Sequence, residues 1–150
     1  MDFLVEMFGT REPEEGELAF FKKRPEVAGM ATDDNKILLN PFSKNSPAEQ
    51  KAVAQNEALR LFMRQQEINP EFELTKEQQE FFKGTEYAKD PSAAKQTILA
   101  RILTGDPSAK NATPEQIKAA QELGASIQQL APQEQTVNPM YSDPFGNSIQ

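Results

Sequence analysis

Four short stretches constrain this chain more than anything else in it: Ser46-Pro47-Ala48-Glu49, Thr75-Lys76-Glu77-Gln78, Asp90-Pro91-Ser92-Ala93 and Thr113-Pro114-Glu115-Gln116. Each opens with a short oxygen-bearing side chain that accepts from a backbone N–H at the start of a helix. In three of them proline follows, where its fixed φ suits the first helical turn and its missing N–H costs nothing. In three, Glu or Gln stands at the position that completes a reciprocal capping box. Four helices are therefore expected.

The helix from Ser46 is predicted to run to about Gln66. Its apolar stripe is Ala48, Ala52, Leu59, Phe62 and Met63, and Val53 and Leu61 outside it predict a helix touched on more than one side, at the centre of the core. The helix from Thr75 ends at Gly84 and is anchored by Phe81 and Phe82. The helix from Asp90 buries Ala94, Ile98, Leu99, Ile102 and Leu103 and closes at Gly105. "DPSA" recurs at Asp106 to Ala109, too short a signal to make a repeat protein. In the helix from Thr113, Ile117, Ala120, Gly124, Ile127 and Ala131 alternate spacings of three and four, as in a helix–helix seam. The small residues at 120, 124 and 131 admit another helix closely, one of the protein's own or a partner's.

Upstream, Pro13 to Lys23 reads as a short helix. Acidic residues follow the proline, Lys22 and Lys23 favour its C-terminal end, and Pro25 stops it. Leu18, Phe20 and Phe21 give it an apolar face. Val27 to Ala31 and Lys36 to Leu39 read as two strands joined by Asp33-Asp34-Asn35, residues that tolerate left-handed backbone. Pro41 ends the second strand. A lone hairpin is marginal in water, so this one must pack on a helix. The expected fold is mainly α with one short β-hairpin (α+β). About five helices are expected, with one domain over 12–131, the hairpin at 27–39, an extended N-terminal arm at 1–11 and an extended C-terminal tail at 132–150.

The chemistry available is narrow. Cysteine and histidine are both absent from the 150 residues. That removes disulfides, thiolate nucleophiles, the commonest metal ligands and the commonest general base at neutral pH. The net charge is −7 and no basic residue follows Lys118. Nucleic-acid binding relies on Lys and Arg displacing counterions, so no direct nucleic-acid partner is expected. No apolar run approaches the roughly 20 residues of a membrane helix, and "MDFLVEMFGT" lacks the basic, long-apolar pattern of a secretory signal. No metal and no cofactor are expected.

One frame invites a catalytic reading. An extended "ILLNP" (Ile37 to Pro41) leads toward a helix reading Asn56-Glu57-Ala58-Leu59-Arg60, a layout that resembles the strand and His-Glu-x-x-His helix of zinc peptidases. Here Asn56 and Arg60 stand at the ligand positions and Glu57 at the base position. Asn is a weak zinc ligand, and Arg stays protonated and cannot ligate. Zinc peptidase activity is thereby excluded. The three residues read as polar groups pairing along a helix, with Glu57 as the base of a metal-independent enzyme a remote alternative.

The two ends carry the remaining signals. Residues 1–11 hold Phe3, Leu4, Val5, Met7 and Phe8, closed by Gly9, a cluster that docks either on the protein's own core or on a partner. Residues 132–150, "PQEQTVNPMYSDPFGNSIQ", have no period but carry spaced apolar residues: Val137, Met140, Tyr141, Phe145 and Ile149. Linkers lack aromatics, so this segment reads as one that adds to another surface. The partner-binding candidates are Phe3, Phe8, Met140, Tyr141, Phe145 and Ile149.

The stretches "FFKKRPEVAGMATDDNKILLNPFS", "NEALRLFMRQ" and "ILARILTGDPSA" with "TPEQ" resemble small acidic proteins of tailed bacteriophages over roughly residues 20–120. That resemblance implies a virion part, assembled in the host cytoplasm, and supplies no catalytic residues. The expectation is a non-enzymatic structural or assembly protein, a head or tail accessory component. It would hold other virion proteins, or further copies of itself, through its terminal segments. The alternative is a phage-encoded regulator or inhibitor that binds a host protein with its acidic surface.

Overall fold

A computed structural model describes residues 2–131, and these form six α-helices and one two-stranded antiparallel hairpin. The helices are α1 (Asp2–Phe8), α2 (Glu15–Lys23), α3 (Pro47–Gln65), α4 (Lys76–Phe82), α5 (Pro91–Leu103) and α6 (Pro114–Leu130); the strands are β1 (Gly29–Ala31) and β2 (Ile37–Leu39). Short 3-10 turns lie at Glu86–Lys89 and Pro107–Asn111. The second "DPSA" thus starts only the latter turn. The mainly helical α+β class expected from the caps is the observed one.

The predicted caps act as such. Ser46, Thr75 and Thr113 each accept from the backbone N–H three residues on, and Glu49, Gln78 and Gln116 return the bond. Asp90 caps α5 through Ala93 N. α3 closes in a Schellman arrangement, with Ile68 N donating to Met63 O at 2.9 Å and Glu67 in the left-handed region at φ 53°.

α3 is the centre of the molecule. It packs against α1, both strands and α5, while α5 also packs along α6. The buried residues of α3 are Ala54, Glu57, Ala58, Leu59, Leu61, Phe62 and Met63. Ala48 and Ala52 are exposed, which corrects the expected stripe, while Leu61, outside it, is buried, as contact on more than one side requires. The first two turns of α3 stand clear of the core, and its last three are covered on more than one side, so a single stripe does not describe them. In α6 the buried positions are Gln116, Ala120, Leu123 and Ile127, whereas Ile117 is exposed. The seam is therefore rotated toward Leu123. The helix it admits is the protein's own α5: a Cβ built on Gly124 would lie 3.3 Å from Leu103 Cδ2.

The hairpin pairs Gly29 with Leu39, Met30 with Leu38 and Ala31 with Ile37. Its turn places Asn35 at φ 61°, as the Asp-Asp-Asn composition predicts. Thr32 fastens that turn: its Oγ accepts from Lys36 N at 2.9 Å and meets the Asp34 carboxylate. Gly29 is demanded by packing. A Cβ there would fall 2.7 Å from Leu38 O and 2.8 Å from Val53 Cγ1, so β1 lies flush on α3. Asn40, buried, joins this sheet to the end of α2. Its amide donates to Val27 O at 2.7 Å and Arg24 O at 3.2 Å, and its Oδ1 accepts from Phe42 N at 2.8 Å.

The N-terminal segment differs from the extended arm expected. Residues 2–8 are helical, with Leu4 and Phe8, one turn apart, buried against α3. Gly9 takes φ 84° and turns the chain, and Thr10 then bridges Ile37 in parallel. Ile37 N donates to Gly9 O at 3.0 Å and Arg11 N to Ile37 O at 3.2 Å, so the second edge of β2 is covered. Residues 2–11 belong with the domain rather than outside it.

Candidate functional site

Glu57 sits mid-helix on α3 with 7% of its surface exposed. Burial pushes its carboxyl above the usual carboxylate range, while the Arg60 guanidinium and, more remotely, the charge of Arg101 pull the other way. Arg60 Nη1 lies 3.2 Å and 3.4 Å from the two carboxylate oxygens, a pair three residues apart on one helix. Arg60 also lies over the Tyr87 ring, 5.1 Å from its centroid. A cavity of about 570 Å³ opens beside Arg60, Arg64, Tyr87 and Gln96, and Glu57 does not line it. Glu57 and Arg60 thus pair along one helix, as their spacing suggests. Among the described residues no group of three His, Cys, Asp or Glu is placed to hold a metal ion.

Arg64, one turn on from Arg60, reaches the hairpin turn. Its Nη2 donates to Thr32 O and, at 3.0 Å, to Asn35 Oδ1. Arg11 meets Glu17 with two bonds of 2.8 Å and Asp34 at 3.2 Å. These contacts hold Glu17 and Asp34 below the carboxylate range, through the Arg11 bond first at Glu17 and the Thr32 hydroxyl first at Asp34. The ionic groups around the hairpin therefore tie α2, the turn and α3 together, and none of them forms a nucleophile-and-base pair.

The predicted partner-binding residues separate. Phe8 is buried in the core, and Phe3 is partly buried and packed against it. Phe8 is therefore a core residue, which corrects its reading as a partner anchor: it lies on the face of α1 that α3 covers. Met140, Tyr141, Phe145 and Ile149 lie outside the described residues.

The most exposed phenylalanine among the described residues is Phe81. Phe81 and Phe82 both read as anchors of α4, yet Phe82 is buried and Phe81 is 58% exposed. Adjacent helical residues point about 100° apart, so two consecutive phenylalanines on a one-sided helix cannot both face inward. The two rings pack edge to face at 5.3 Å, and Arg101 of α5 lies 4.9 Å from the Phe81 centroid and 5.8 Å from that of Phe82. Phe81, Ile98 and Arg101, with Ala109 and Ala112, line a groove of about 230 Å³ between α4, α5 and the Pro107–Asn111 turn.

Comparison with protein-family models, with curated proteins and with solved structures returns no match. No helix among the described residues is long and apolar enough to cross a membrane.

Proposed function

We propose that the protein is a non-enzymatic assembly component of a bacteriophage particle, one that holds neighbouring subunits through residues 132–150. The observation that carries the reading is the division of labour between the two ends. The apolar residues at the start, Leu4 and Phe8, are spent on the domain's own core. Met140, Tyr141, Phe145 and Ile149 follow α6 in a stretch with no helical period, spaced as anchors on an extended segment are. Several anchors on one chain raise affinity through effective concentration, which suits a part that must stay bound within a particle. The net charge of −7 argues for protein neighbours over packaged nucleic acid. The bacteriophage assignment rests on the resemblance of residues 20–120.

The test is mass spectrometry of purified particles made with the full chain or with a chain lacking residues 132–150. The full chain is expected in the particles, and the shortened one in the soluble fraction, folded. Normal incorporation of the shortened chain overturns the reading. Absence of the full chain from particles, together with its capture of one host enzyme, replaces it with the regulator alternative.

A further inference from the structure

We propose that the groove between α4, α5 and the Pro107–Asn111 turn is the seat for residues 140–145 of a second copy of this chain, Met140-Tyr141-Ser142-Asp143-Pro144-Phe145. The Asp143 carboxylate would meet the Arg101 guanidinium and Phe145 would cover Phe81. The inference rests on the assembly reading above and names the surface that receives the segment.

Three observations carry it. The first is Arg101. Its guanidinium is held against two aromatic rings, yet among the described residues its side chain donates to no carboxylate or carbonyl, and Glu57 acts on it only through its longer-range field. A guanidinium so placed is oriented for an acceptor that arrives from outside. The second is the groove's apolar wall, on which Phe81 exposes more than half its surface beside Ile98, Ala109 and Ala112. The one carboxylate in the lining, Glu77, is exposed, so water and salt screen it.

The third is the match of the segment to that pair. A residue that precedes proline, as Asp143 does, is biased away from helical backbone toward extended backbone. On an extended chain, residues two apart point to the same side about 7 Å from one another. Asp143 and Phe145 are two apart and suit an arginine whose guanidinium lies 4.9 Å from a phenylalanine ring. Beyond Lys118 the sequence has no basic residue to compete for Asp143.

The direction of the chain, rather than its length, favours a neighbouring copy. α6 begins beside the groove, whose lining includes Ala112, and its 17 residues carry the chain roughly 25 Å onward. Reaching its own groove would require the segment to retrace most of that helix. A neighbour's groove needs no return, and seating one copy's segment on the next is a head-to-tail contact that propagates.

The test titrates a labelled peptide of residues 132–150 into the full chain by fluorescence anisotropy, with sedimentation velocity of the full chain alongside. Saturable binding is expected. Phe81→Ala or Arg101→Gln in the protein, or Asp143→Asn in the peptide, should weaken it about tenfold, the worth of one charge-assisted contact. Because Phe81 is more than half exposed, its alanine variant should stay folded and melt within a few degrees of wild type, a drop set by the loss of its contacts to Phe82 and Arg101, and its self-association should be lost. Equal binding by wild type and both protein variants overturns the groove. A full chain that stays monomeric at all concentrations overturns the second copy. Particles that incorporate Phe81→Ala normally but exclude the chain lacking 132–150 overturn the groove and leave the assembly reading standing. Incorporation of the shortened chain removes the assembly reading itself.

Discussion

At the scale of single residues, Glu57 and Gly29 are where burial leaves the least freedom. The Glu57 carboxyl is raised by desolvation, against the opposing pull of Arg60. A raised acid binds its proton more tightly in the folded chain than in the unfolded one. Stability from this group is therefore present at and below the ordinary carboxylate range and is lost as pH rises through the folded value. Glu57→Gln cannot titrate, so the melting temperature of wild type relative to this variant should fall as pH rises from about 4 upward. A difference that stays flat or climbs with pH would show that Arg60 outweighs burial. Gly29 makes a steric claim. Alanine there must push against Leu38 O and Val53 Cγ1, and should cost about 1–3 kcal/mol in urea denaturation through overpacking. Neither role was legible in the sequence. Glu57 stood at the base position of a zincin-like frame, and Gly29 sat unmarked in a candidate strand, because burial and close approach are set by partners distant along the chain.

At the scale of elements, the caps were legible because capping is local: the bonds of Ser46, Thr75, Asp90 and Thr113 span at most three residues. What no local reading supplies is that two of the boxes meet. Gln78 and Gln116, each closing its own box, face one another across 38 positions of sequence. Gln78 Nε2 donates to Gln116 Oε1 at 2.8 Å, and Gln116 Nε2 donates back to Gln78 Oε1 at 2.7 Å. Gln116 also donates to Glu73 O at 3.2 Å and is fully buried. The pair locks the start of α4 to the start of α6. Gln116→Glu keeps an acceptor for Thr113 N but loses both donated bonds and sets a carboxylate against Gln78 Oε1. It should destabilise by about 1–3 kcal/mol, more than an exposed capping-box exchange such as Glu49→Gln, in the same denaturation assay. The end of α3 offers a change of opposite sign. Glu67 holds a left-handed conformation in a position that favours glycine, and its side chain is exposed. Glu67→Gly should therefore raise stability by roughly 0.5–1 kcal/mol, relief of strain exceeding the added entropy of the unfolded chain.

At the scale of the whole molecule, the largest departure of the architecture from the sequence reading among the described residues is the N-terminal segment, and it moves a residue from partner surface to core. An apolar cluster at a chain end reads the same whether it covers the protein's own helix or a neighbour's, since composition says what must be buried and not against what. Here α1 lies on α3, and residues 9–11 close the open edge of β2, so β2 is bonded along both of its edges. The consequence separates the two readings of Phe8 directly. As a partner anchor, Phe8→Ala would leave the isolated chain as stable as before and weaken only assembly. As a core residue beside Leu4, it should cost about 3–5 kcal/mol in the isolated chain, the sum of lost transfer energy and the cavity left behind. That is a large fraction of the stability of a single domain, so the variant's melting temperature should drop by many degrees. Phe81→Ala supplies the contrast, since its ring is more than half exposed and its removal should lower the melting temperature far less. An isolated Phe8→Ala chain that melts with wild type would return the N-terminal helix to the partner surface and leave α3 without the cover that its buried face requires.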